Sequence, residues 1–268
     1  MAGLGSAALG SAGLMLAGSM FCGLMFCGLM FCGLMFCGVA RAQEGAEEAA
    51  TPDTVSQGQV WLGYLTQTRL SEELSLWNDA HFVPEAFYIL RTGVSVHLPE
   101  RVVVTAGYAF LGLPVGTVTR DLDRREHRPW AQLVYPLRLG DEWGLSNRLR
   151  YDARIQRNVE DGEIAPGYGF VNRGRWMLTL RRELPELGFG DGIVPYASVG
   201  NEVLVAWDGE GTRLDQNRIT AGLGATRRSV ALQVSYMNRF VQVGSGRPSV
   251  MNHTLVVWVF HEFDLRGD

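Results

Sequence analysis

The sequence predicts an all-β chain: one antiparallel up-and-down transmembrane β-barrel of about 10–12 strands, preceded by an N-terminal signal segment. Three observations predict it. Beyond Gly58, apolar and polar residues alternate with a period of two, in runs as long as tilted membrane strands require. From the third run onward, tight turns alternate with longer connections rich in Gly, Asp and Glu, which expects short turns on one rim and loops on the other. And the first forty residues are apolar and end at a small-x-small site.

Residues 1–42 are expected to be the signal. From Met1 to Val39 no side chain is charged, and Ala40-Arg41-Ala42 is the expected cleavage site. The stretch holds a pentapeptide, Met-Phe-Cys-Gly-Leu, repeated from Met20 to Gly38, so it is longer than an ordinary signal. In-frame expansion of the repeat accounts for the excess, and an uncleaved transmembrane helix is the rival reading. All four cysteines (Cys22, Cys27, Cys32, Cys37) belong to the repeat. They read as passengers of it, and the mature chain is expected to carry no thiol or disulfide. Residues 43–57 then form a polar linker without periodicity.

The body, 58–263, divides into strand-like runs near 59–69, 74–83, 87–98, 101–111, 127–138, 144–158, 170–184, 193–207, 214–226, 229–242 and 251–263. Asn147–Asn158 is the clearest: Arg148, Arg150, Asp152, Arg154 and Gln156 share one face, and Leu149, Tyr151, Ala153 and Ile155 the other. A soluble sandwich alternates too, so a periplasmic β-rich domain is the competing architecture. Tight turns are expected at Pro99-Glu100, Gly140–Glu142, Pro185–Gly192 and Arg227-Arg228, and loops at Gly112–Glu126, Val159–Gly169, Asp208–Arg213 and Gly244–Val250. The runs number eleven, whereas termini on the same side of a membrane require an even count. Ten or twelve strands are therefore expected, twelve rather than ten, with the discrepancy placed between residues 59 and 98. The seven Trp (Trp61, Trp77, Trp130, Trp143, Trp176, Trp207, Trp258) are expected to form interfacial girdles. The last run puts Leu255, Val257, Val259 and Phe263 on one face, like the signal read by the barrel-assembly machinery, with 264–268 as an extension and Trp258 and Phe260 turned inward.

Several short motifs occur in order along this body. They are Trp61-x-Gly63-Tyr64, Leu74-Ser-Leu-Trp77, Arg91-x-Gly93, His127-Arg128-x-Trp130-x-Gln132 and Arg148-x-Arg150. Asn201-Glu202, Asp215-Gln216-Asn217-Arg218 with Gly222-x-Gly224, Tyr236-Met237-Asn238 and Asn252-His253 follow. In these the chain resembles the Gram-negative outer-membrane family catalogued as domain of unknown function 2490. The resemblance covers about 59–263. It implies an outer-membrane barrel and no activity.

A formal charge of −4 gives no reason to expect nucleic acid as a partner. All 24 basic residues are arginine, so every fixed positive charge is a planar fork suited to carboxylate or phosphate. Strand parity sends Arg91, Arg128, Gln132, Arg148, Arg150, Asp152, Arg154, Arg173, Arg175, Glu202, Gln216 and Arg218 to the lumen, with Glu202 among several arginines. Two roles compete for this cluster: a structural plug of cross-strand ion pairs, or a narrow channel or pocket favouring small anionic solutes. The remaining partner expected is outer-membrane lipid. A lipid-modifying enzyme of the outer membrane is a third class. No His-x-Ser pair or Gly-x-Ser-x-Gly elbow supports it, and His127 and His253 are its best candidates. No catalytic residue, cofactor or metal is assigned; the acidic run Asp121–Glu126 reads as a solvated loop.

Overall fold

A computed structural model describes residues 54–115, 122–190, 192–243 and 248–266. The expected signal, its cysteines, the cleavage site and most of the linker lie outside the described residues.

Eleven strands close into one barrel in sequence order. They are β1 (Val55–Arg69), β2 (Leu74–Val83), β3 (Phe87–His97), β4 (Val103–Leu113), β5 (Arg124–Arg138), β6 (Trp143–Glu160), β7 (Glu163–Glu183), β8 (Val194–Asp208), β9 (Gly211–Arg227), β10 (Val230–Val241) and β11 (Val250–Asp264). The expected runs fall on these strands one for one. Among the described residues the only helical pieces are two short 3-10 turns, Pro99–Arg101 and Pro185–Leu187, and no helix is long and apolar enough to cross a membrane.

Neighbouring strands pair antiparallel except at the seam, where β1 and β11 run parallel from Val55↔Val250 to Arg69↔Asp264. This corrects both the all-antiparallel expectation and the even count. An odd number of up-and-down strands leaves the first and last pointing the same way, and parallel hydrogen bonds satisfy the two edges as completely as antiparallel ones would. β1 therefore starts at the rim where the β2–β3, β4–β5, β6–β7, β8–β9 and β10–β11 connections lie. Val55 to Gln57, assigned to the linker from sequence, are its first residues.

Two expected loops are hairpin tips instead. β6 and β7 continue to a two-residue turn at Asp161-Gly162, both at positive φ, and β8 and β9 meet at Gly209-Glu210. Their Gly and acidic residues are turn chemistry at the ends of long strands. The β4–β5 and β10–β11 connections lie partly outside the described residues, and on the other rim the β7–β8 connection is longer than the tight turn expected there.

Burial alternates between inward and outward positions, most regularly on β2 and β3. On β6, Leu149 is 45 % and Tyr151 41 % exposed, against 4 % for Arg150 and 1 % for Asp152. The apolar face thus looks outward and the charged face is enclosed, the reverse of a soluble β protein. Apolar side chains also pack inside, but in small clusters: Trp61, Val83, Met237 and Val256 at one place, Ile89, Ala109, Leu111 and Trp130 at another. At the seam, a Cβ on Gly63 would stand 1.8 Å from the Trp258 ring; only glycine lets that indole lie flat over β1.

Candidate functional site

The barrel interior is the site. β3, β5, β6, β7, β9 and β10 contribute inward-facing arginines, and closure brings them together around a cavity of about 340 Å³. All twelve residues that parity sends to the lumen lie on the enclosed face. Ten of them line the cavity; Gln132 and Asp152 sit buried within its wall.

Carboxylates organise the guanidiniums into groups. Glu202 accepts from Arg148 Nη2 at 2.6 Å, Arg175 Nε at 2.9 Å and Arg218 Nη1 at 3.2 Å, tying β6, β7, β8 and β9 together. Asp152 accepts from Arg173 Nη2 at 3.0 Å and Arg175 Nη1 at 3.5 Å, and Arg173 reaches on to Asp215 at 3.0 Å. Glu126, fully buried, accepts from Arg128 Nε at 2.7 Å, Arg154 Nη2 at 3.1 Å and Gln156 Nε2. Glu126 had been read as part of a solvated loop. β5 begins at Arg124, so the residue points inward at the second position of an inward-outward alternation.

A fourth group sits on β2 and β3. Asp79 Oδ1 is 2.9 Å from His81 Nε2 and 3.4 Å from Arg91 Nε, and its Oδ2 accepts from Trp77 Nε1 at 2.8 Å. Trp61 Nε1 donates to His81 Nδ1 at 3.0 Å, which fixes the imidazole proton on Nε2, facing Asp79. Nδ1 of His81 is thus hydrogen-bonded, and Nε2 stands at ion-pair distance from Asp79. Sequence reasoning missed Asp79, His81, Glu126, Asp215 and Arg239. The signal for Asp79 and His81 was present: Ser75, Trp77, Asp79, His81 and Val83 alternate against Leu74, Leu76, Ala80 and Phe82. Asp215 had no such signal. The register shifts between Leu204 and Val205, so Asp215 is the extra residue of a bulge beside inward-facing Gln216.

Arginines exceed carboxylates here: nine guanidiniums line the cavity, and five carboxylates (Asp79, Glu126, Asp152, Glu202, Asp215) bind them among the described residues. Arg150 meets a neutral partner, with both Nε and Nη2 donating to Gln132 Oε1. Arg239 bonds the amide oxygens of Gln216 at 3.0 Å and Gln59 at 3.4 Å.

Indole and phenyl faces take up part of the remaining charge. Arg150 stands 4.6 Å from the Trp130 ring, Arg91 5.9 Å from the same ring, and Arg218 5.4 Å from Trp61. This corrects the girdle expectation for Trp61, Trp77 and Trp130, while Trp258 faces inward as the alternation of its strand predicts. Trp61, Trp77 and Trp258 line the cavity and Trp130 is buried beside it, whereas Trp143 and Trp207 are exposed. An enclosed arginine cluster needs electron-rich planes that do not themselves require charge.

The two histidines offered for catalysis stand on the outer face. His127 pairs with Tyr108, and His253 Nδ1 lies 2.6 Å from Tyr236 Oη. The partner in each of these contacts is a tyrosine hydroxyl, not a serine or threonine. Among the described residues no group of three His, Cys, Asp or Glu side chains is placed to hold a metal ion.

A family model described as "Protein of unknown function (DUF2490)" matches residues 58–250. No curated protein matches the chain, and no solved structure does.

Proposed function

Because the chain belongs to the DUF2490 family, whose description assigns no activity, we propose a function from the chain's own residues: it is an outer-membrane β-barrel whose enclosed, arginine-rich lumen holds and favours small anions.

The membrane part of this reading rests on the outer face. Leu62, Leu90, Val94, Leu149, Val199, Ile219, Leu223, Leu232, Val234 and Leu255 are each more than two-fifths exposed, and together they belt the barrel. In water, a continuous apolar wall of this extent is an aggregation liability; in lipid it is the required surface. Aromatic residues also gather on the outer face near the rim where β1 begins. Tyr88 packs on Phe110, His127 on Tyr108 and Tyr168, and Tyr236 on His253. Such rings, apolar in body and polar at the tip, suit the level of lipid headgroups.

The anion part rests on one observation, the nine guanidiniums against five carboxylates inside. A lumen evolved purely as a brace would gain most from matched pairs, since an uncompensated buried charge is costly. Surplus arginine instead leaves a field that an entering anion neutralises. The bracing role is served by the same groups: Glu202 of β8 holds Arg148 of β6, and Asp215 of β9 holds Arg173 of β7, across strands that are not neighbours.

Planar-bilayer recording of the folded protein tests the reading. The expected result is anion-over-cation selectivity in a salt gradient, abolished when Arg148, Arg150 and Arg154 are together replaced by glutamine. A heat-modifiable, membrane-inserted protein with neither conductance nor measurable anion binding would leave bracing as the lumen's role. Extraction from cells without detergent would refute the membrane placement.

A further inference from the structure

The cavity has two chemically different walls. The side built by β5, β6, β7 and β9 carries seven of its arginines: Arg128, Arg148, Arg150, Arg154, Arg173, Arg175 and Arg218. The side built by β1, β2, β3, β4 and β11 presents Trp61, Trp77, Ile89, Leu111, Trp258 and Phe260, and its one charged group, Asp79 with His81 and Arg91, is paired within itself. A pore for a hydrated inorganic ion gains nothing from an aromatic wall, because water against indole and phenyl surface is unfavourable. A site for an apolar molecule has no use for the guanidiniums.

Resting on the lumen reading above, we infer that the cavity is a binding site for an amphipathic organic anion, a carboxylate, sulfonate or phosphate head on a flat apolar body. The head belongs at Arg150. Its hydrogen bonds go to the neutral amide of Gln132, and its guanidinium shares the cavity with Arg91, Arg148 and Arg175, so it is the point where one added negative charge is best repaid. Two buried donors beside it lack hydrogen-bond partners among the described residues: Nε of Arg148 and Nε1 of Trp130, a residue only 3 % exposed. Oxygens of an anionic head satisfy donors of this kind, and leaving them unmet carries a desolvation penalty. The body lies across the lumen against Trp61, Trp77 and Trp258, which line the cavity, the rings of Trp61 and Trp258 packing edge-on and tilted around His81 and one another.

Titration of the full chain, folded in zwitterionic detergent, with 2-naphthoate, 2-naphthol and inorganic phosphate tests this, by calorimetry against a blank of empty micelles. Saturable naphthoate binding at one site is expected, at least tenfold tighter than naphthol and tenfold tighter than phosphate; each tenfold is about 1.4 kcal/mol. Arg150→Gln is expected to weaken naphthoate at least tenfold and leave naphthol unchanged, while Trp77→Ala weakens naphthoate and leaves phosphate unchanged. The wild-type ranking decides by itself should either variant fail to fold. Phosphate matching naphthoate means a site for inorganic anions, and naphthol matching naphthoate means partition into apolar surface; either overturns the inference, as does no saturable binding. Anion selectivity in bilayers that survives such a result leaves the lumen reading intact, so the two failures are distinguishable.

Discussion

Glu202 shows how a single residue sets this interior. One carboxylate serves three guanidiniums from three strands, and its removal leaves Arg148, Arg175 and Arg218 buried with less than the charge they were paired to. Replacing Glu202 by Gln is expected to destabilise the folded barrel by roughly 3–5 kcal/mol, more than the same change at exposed Glu183 on a strand end, which belongs near zero. Urea unfolding in detergent micelles, followed by the loss of the compact gel form, measures both. A Glu202→Gln protein as stable as wild type would show that the surrounding arginines are held by other means. Gly63 is a second case. Its Cβ has no room beneath Trp258, so Gly63→Ala is expected to cost about 1–3 kcal/mol. Trp258→Ala in the same chain should relieve the clash; additive losses in the double variant would argue that the close approach does not govern the site.

At the scale of the strand, alternation does all the sorting. Each strand offers one face to the outside and one to the lumen, and a charged group on the wrong face has nowhere to go. On the proposed membrane reading, arginine at the outward midstrand positions Leu149 or Val199 is expected to cost roughly 2–4 kcal/mol in lipid vesicles. The same substitution at Leu70, exposed in the turn after β1, should be nearly silent. Equal effects at the three positions would mean the outer wall is not in contact with hydrocarbon. The bulge at Asp215 is the element-scale exception: one extra residue in β9 turns two consecutive side chains to the same region and supplies Arg173 with its second carboxylate.

For the whole molecule, closure decides what the strands can only offer. The parallel seam sets the register Leu62↔Val257, with both side chains on the outer face. With the four native cysteines changed to serine, a Leu62→Cys, Val257→Cys chain is expected to form a disulfide under mild oxidation of the folded protein, seen as altered mobility after boiling without reductant. Leu62→Cys with His253→Cys, four residues off register, should not. The opposite pattern, or no cross-link in either, would mean that β1 and β11 do not meet as they do here. Closure also explains the cross-lumen contacts, Arg218 of β9 over Trp61 of β1 and Arg91 of β3 over Trp130 of β5.

Alternation in the sequence determined the number of runs, their ends to within a few residues except at the start of β7, and the face on which each of the twelve predicted lumen residues stands, because a strand's side chains obey a period of two whatever the partner strand. It also carried Asp79 and His81 on the same face as Trp77, where they were legible and overlooked. The tertiary structure alone decided that β1 meets β11 in parallel, that Glu126 is enclosed rather than solvated, that Asp215 joins the lumen through a bulge, and that Trp61 and Trp130 lie against arginines inside instead of in a girdle. Period two assigns a side chain to inside or outside. Which inside residues touch depends on how far the sheet is staggered when it closes, and that offset is a property of the ring of strands that no single strand encodes.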